Sequence, residues 1–144
     1  MTETSGSFAG RTRMLHTMSL ADVPGHELQT VEVTGTHSSA DSMWNNARVT
    51  YWGVSDLVAG NGSQCGYYVN EHTDGGLENG RFEGKVTTNE HGTRIDGTWR
   101  ATDGTGIYAG MKAEGTFAVE LISPTEGKCS WQGVYELAAG ARAA

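Results

Sequence analysis

The chain has 144 residues and a net charge of −7, its 17 acidic and 10 basic residues interspersed. That length fits one domain with a sizeable core, and the acidic balance argues against a nucleic-acid partner. No apolar run approaches the ~20 residues of a membrane span, and "MTETSGSFAGRTR" lacks the apolar centre of a signal peptide, so a cytoplasmic location is expected.

In chain order, helical periodicity is almost absent. Alternating runs are instead punctuated by Gly, Asn and Asp turns. Eight strands are expected: 10–20, 27–39, 46–58, 63–73, 79–88, 93–102, 111–122 and 128–137. The residues before the first strand are read as a short flexible N-terminus, and 138–144 ("AAGARAA") as a frayed tail of the single domain 1–144. Short connections between eight strands favour an all-β, up-and-down antiparallel barrel, in which closure removes the sheet edges. Glycines inside the strands, among them Gly66, Gly97 and Gly115, fit the sharp coiling of a small barrel. A two-sheet sandwich is the competing arrangement that periodicity leaves open.

The stretch "DGTGIYAGMKAEGTFAVEL" (103–121) invites a phosphate-loop reading and fails it. Gly104, Gly106 and Gly110 are spaced G-x-G-x-x-x-G, one residue too long for a dinucleotide fingerprint. The residues after Gly110 alternate as a strand instead of opening a helix. No Gly-Lys-Ser/Thr and no G-x-S-x-G is present, so no cofactor is expected. The five histidines show no metal-ligand spacing, and no metal site is expected. Cys65 and Cys129 are read as free thiols with no electropositive setting that would make them nucleophiles.

The segment "GTWRATDGTGIYAGMKAEGTFAVEL" resembles the glycine-rich hairpin of the allene oxide cyclase barrel-like superfamily. It is most similar to that group's bacterial family of small lipocalin-like barrels. The likeness extends over residues 46–121 and includes "YWGVSDLVAGNGSQCGYYVNEHTDGG". It implies an allene oxide cyclase-like barrel in which 103–110 is a turn between the sixth and seventh strands. "GTW" at 97–99 also evokes the lipocalin G-x-W, which belongs on a first strand rather than a sixth.

Strand parity puts Tyr68, Asn70 and His72 on one face of the fourth strand, and the resemblance turns that face into the lumen. By parity their companions are Tyr51, Trp99, Phe117, Trp131 and Tyr135, an aromatic cup with a few polar groups, as in small-molecule pockets. Each of these aromatics has core filling as its plainer role. His16 on the first strand and Glu32 on the second are further lumen candidates, as an acid–base partner and a carboxylate.

Two functions are compatible with such a lumen. One is a cofactor-independent isomerase, cyclase or lyase acting on a small hydrophobic molecule. In it His72 is the acid–base group, with Asn70 and Tyr68 orienting a substrate oxygen. The other is a non-catalytic ligand-binding or carrier barrel using the same lumen. Outward-facing Trp52, Tyr67 and Val69 imply a homo-oligomer, a dimer or trimer.

Overall fold

The computed structural model describes residues 1–139. Eight strands run β1 (Thr2–Ser19), β2 (His26–Thr36), β3 (Arg48–Val58), β4 (Asn61–Glu71), β5 (Leu77–Asn89), β6 (Gly92–Gly104), β7 (Lys112–Ser123) and β8 (Glu126–Glu136). Each pairs antiparallel with its chain neighbour, and β8 returns to β1 to close the barrel. The one helical turn among the described residues is the three-residue 3-10 segment Gly106–Tyr108. Among these residues no helix is long and apolar enough to cross a membrane.

One boundary departs from the sequence expectation. The N-terminus is not a flexible lead: β1 begins at Thr2, and residues 2–11 form the seam with β8, Phe8 lying opposite Cys129. The run "TETSGSFAG" has little strand propensity, and pairing with β8 overrides it. Its inner positions, Thr4 and Phe8, are buried, with Gly6 and Gly10 between and beyond them. At the other end, Leu137 packs against the core cluster. Of the expected frayed tail 138–144, residues 140–144 lie outside the described residues.

Period-two alternation sorts the side chains. Val49, Tyr68, Phe82, Ile95, Val119 and Trp131 line the interior, while residues between them face out. Coiling brings backbones together where no side chain fits: a Cβ on Gly115 would collide with the Gln132 carbonyl oxygen and stand 2.7 Å from the Trp99 ring. The glycine stretch after β6 is a turn, with Gly106 and Gly110 both left-handed at φ 58° and 72°.

One mouth of the barrel is covered by three connections: 37–47, 72–76 and 105–111. The first is a compact loop with a hydrogen-bonded neck, His37 N–H donating to the Ala47 carbonyl and Asn46 N–H to that of His37. Asn46 is left-handed there at φ 68°, a conformation Asn tolerates better than most residues. Asp41 anchors the loop, accepting from Thr4 Oγ1 at 3.0 Å and from the Met43 amide at 3.0 Å. The geometry drives Trp44 into the barrel mouth, where it is 2 % exposed.

Gly115→Ala is expected to destabilise the fold by about 1–3 kcal/mol, the usual range for overpacking, read as a lower urea midpoint. An unchanged midpoint would mean that β7 and β8 do not approach this closely.

Candidate functional site

The sequence builds a polar cluster just under the covered mouth. Tyr68, Asn70 and His72 take the inner parity of β4 and its end, and Asn70 lies directly opposite Glu78 on β5. His37 continues the inner parity of β2 past its last residue, and Trp44 arrives from the mouth loop. Glu78 is 1 % exposed. Its Oε1 accepts from Asn70 Nδ2 at 3.0 Å and Trp44 Nε1 at 3.2 Å, and is hydrogen-bonded with His72 Nε2 at 3.0 Å. Its Oε2 accepts one longer bond, from the Tyr68 hydroxyl at 3.4 Å. Tyr68 reaches this position because residue 80 is glycine: a Cβ there would stand 2.5 Å from the phenol oxygen.

The partners fix the imidazole protons. Trp131 Nε1–H donates to His37 Nδ1 at 3.0 Å, so His37 carries its proton on Nε2, which donates to Asn70 Oδ1 at 2.7 Å. Asn70 then points its amide N–H at Glu78. On the far side, His72 Nδ1–H donates to the Met43 carbonyl at 2.8 Å. His72 is closed off by Tyr108, stacked on it at 3.9 Å with an interplanar angle of 11° and tied through its hydroxyl to Asp74 at 3.2 Å. A continuous hydrogen-bonded chain thus runs Trp131–His37–Asn70–Glu78–His72–Met43. No enclosed side-chain nitrogen or oxygen among the described residues lacks a partner.

Burial, outweighing the Asn70 bond that acts in the opposite direction, holds His37 below the ordinary imidazole range, consistent with a neutral ring accepting from Trp131. Tyr68 is pushed well above the usual phenol range, first by burial and then by the Glu78 charge and hydrogen bond, so it is a neutral donor. Burial raises the Cys129 thiol to about 12, which removes it as a nucleophile.

Beneath the cluster lies an aromatic cavity of about 80 Å³. Tyr51, Phe82, Trp99, Phe117 and Trp131 contribute to its walls, and Tyr68, His37 and Gln64 bring polar groups to it. It is roughly half the size of a cavity that accepts benzene and larger than a single water needs. Side chains therefore fill most of the lumen.

Among the residues predicted from sequence, Tyr51, Tyr68, Trp99, Phe117 and Trp131 line this cavity. Asn70 and His72 face inward but lie behind it, in the polar cluster. Tyr135 packs inside the mouth against Trp44, ring centroids 4.9 Å apart. Two expectations need correction. Glu32 is on the outer face, accepting from Trp52 Nε1 at 2.9 Å and Arg13 at 3.0 Å, because Val31 and Val33 hold the inner positions of β2. His16 is exposed: a bulge between Met14 and His16 shifts the register of β1, and β8 pairs with β1 only as far as Arg11.

The inward carboxylate is Glu78, which sequence reasoning missed along with His37, Trp44 and Tyr108. Periodicity starts the fifth strand at 79, yet Glu78 shares parity with Gly80, Phe82 and Gly84, and that signal was available. Trp44 and Tyr108 sit on loops, where parity says nothing. Among the described residues no three His, Cys, Asp or Glu side chains gather in a metal-binding arrangement.

No protein-family model matches this chain, and no curated protein matches it. Among solved structures it is similar to a protein of unknown function from the DUF3224 family of Shewanella oneidensis MR-1. The two share 18% identity with a TM-score of 0.61, over 94% of this chain and 98% of that one. At that identity the likeness shows a common fold.

The buried neutral His37 makes stability depend on pH. With its folded pKa depressed, the unfolded chain takes up more protons as pH falls through about 6.5, and the native state loses ground. His26, bonded to Asp22 and Asp56 at the opposite rim, is shifted upward, first by its Asp22 bond, and acts in the other sense, its contribution fading as pH rises. In a His26→Gln variant, which removes the opposing group, the urea midpoint is expected to fall as pH is lowered from about 7 to 5. The same fall in a variant that carries His37→Gln as well would contradict a neutral buried His37 as its source.

Proposed function

We propose that the lumen binds a small, mostly apolar molecule and carries out cofactor-independent acid–base chemistry on it, an isomerisation or an elimination. The observation that carries this reading is a buried carboxylate bonded to His72 and reached from an aromatic cavity through one phenol, Tyr68. Such an arrangement is unusual for a structural core, where buried carboxylates are commonly paired with Arg or Lys. The resemblance of the 97–121 hairpin to the allene oxide cyclase barrel-like superfamily supports the same class, since those barrels enclose a reactive substrate and exclude water.

In this reading Tyr68 is the group that meets substrate. A proton leaves a substrate carbon for the Tyr68 oxygen as the phenolic proton passes to Glu78 Oε2. Reversal delivers a proton to a different carbon in an isomerisation, or to the departing oxygen in an elimination, so charge and protons balance over the turnover. His72 and Asn70 are positioning residues: they hold Oε1 and leave Oε2 turned towards Tyr68. The aromatic walls fix orientation and keep the site dry, which strengthens each polar contact.

A non-catalytic ligand-binding barrel is the second reading. It is favoured by one observation: Glu78 and His72 are satisfied by protein groups and do not themselves line the cavity. Self-association belongs to both readings, through the outer face where Trp52 and Tyr67 stand opposite each other, 39 % and 57 % exposed.

Native mass spectrometry of the purified protein identifies a retained ligand, and turnover of that ligand separates the readings. Glu78→Gln is expected to lower turnover by ~10²–10⁴ with ligand still bound. No detectable conversion by the wild type would leave the binding barrel as the function.

A further inference from the structure

The β3–β4 wall of the lumen holds two polar groups that the protein itself leaves without a full complement of partners. Tyr51 turns its ring inward between Phe8 and Phe82, with centroids 6.4 Å and 5.2 Å away. Its phenol is kept protonated by burial, and no described residue hydrogen-bonds to its hydroxyl. Gln64, also on the cavity wall, meets Ser55 Oγ through one end of its amide, N to O 2.9 Å. Whichever end of the amide faces Ser55, the other is free. No sealed side-chain nitrogen or oxygen lacks a partner among the described residues, so neither the Tyr51 hydroxyl nor the free amide end is fully enclosed, and both residues line the cavity. Gly53 lies between the two on the wall, and a Cβ there would press on Gln64 at 3.0 Å, so the glycine gives the amide room to lie across β3.

A group that is purely apolar would leave these atoms desolvated, at a cost that discriminates strongly against it. A charged group would find no cation or carboxylate on this wall, and burying it here is unfavourable. We propose that Tyr51 and Gln64 form a polar subsite selecting a small neutral molecule with one oxygen function. The cavity of about 80 Å³ restricts it to an alcohol, aldehyde, ketone or amide of about three to five non-hydrogen atoms. Tyr51 donates to the ligand oxygen, Gln64 meets the adjoining hydroxyl, N–H or carbonyl, and the remainder packs on Phe82, Trp99 and Phe117. The inference rests on the reading of the lumen as a ligand site and names what that site takes.

The test is a pair of NMR titrations on the isotope-labelled full chain, with 2-propanol as the oxygen-bearing probe and xenon as the apolar one. Both are run on the wild type, Tyr51→Phe and Gln64→Met, each variant first checked for a native amide spectrum. Saturable shifts of the cavity residues Phe82 and Val119 with 2-propanol are expected in the wild type. Affinity should fall about fivefold or more in Tyr51→Phe, the loss of one hydrogen bond, while xenon binds both forms equally or binds the variant more tightly. Gln64→Met should weaken 2-propanol alone and serves if Tyr51→Phe does not fold. Equal affinity for 2-propanol in wild type and variants, or shifts with xenon and none with 2-propanol, overturns the subsite and leaves the lumen reading standing. Shifts with neither probe overturn both.

Discussion

A carboxylate with no Arg or Lys beside it is held inside the barrel, and the covered end of the molecule is arranged around it. Among the described residues the only ionisable group paired with Glu78 in a salt bridge is His72, at 3.0 Å. Removing a carboxylate from water costs several kcal/mol even after relaxation, so donors must converge on it from several directions. They come from separate pieces of chain: Asn70 and Tyr68 from β4, His72 from its end, and Trp44 from the 37–47 loop. The loop's anchoring on Asp41 and the stacking of Tyr108 on His72 serve the same need, because each donor must be held by something else. The hydrogen-bonded chain from Trp131 to Met43 orders both flanks of the mouth together, which is the expected behaviour of a fully satisfied buried network.

The carboxylate's two oxygens are not equivalent. Oε1 takes three bonds, and Oε2 only the long one from Tyr68. The proposed proton transfer uses this asymmetry, with Oε1 fixed by its three partners and Oε2 turned towards Tyr68. Against it stands the small free volume, which confines any substrate in this conformation to a few non-hydrogen atoms. Trp44 is the largest side chain in the mouth, and it supplies both a donor to Glu78 and the cover over the lumen. Access and electrostatics are therefore coupled through one indole.

The barrel was legible because alternation survives in nearly every strand: "KAEGTFAVEL" and "KCSWQGVYEL" announce their inner faces directly. The first strand was legible only in part, since residues 2–9 have their reason to be extended in β8, far away in sequence. Glu32 and Glu78 show the limit of parity. Both are carboxylates within strands, and the choice between them turns on which neighbours take the core positions: Val31 and Val33 displace the first, while Gly80 and Phe82 place the second. Loops were the blind spot. Trp44 and Tyr108 enter the site from segments with no periodicity, and their position depends on backbone turns and on side-chain anchors such as Asp41 and Asp74, which become partners only once the barrel closes.

The arrangement of the covered mouth requires Glu78 and His72 to act as one buried unit. A double-mutant cycle of Glu78→Gln and His72→Gln, read by urea unfolding at neutral pH, tests this most directly. The two changes are expected to be strongly non-additive, with a coupling energy of about 1–3 kcal/mol, the range for residues sharing one network. Additivity within about 0.3 kcal/mol would contradict it.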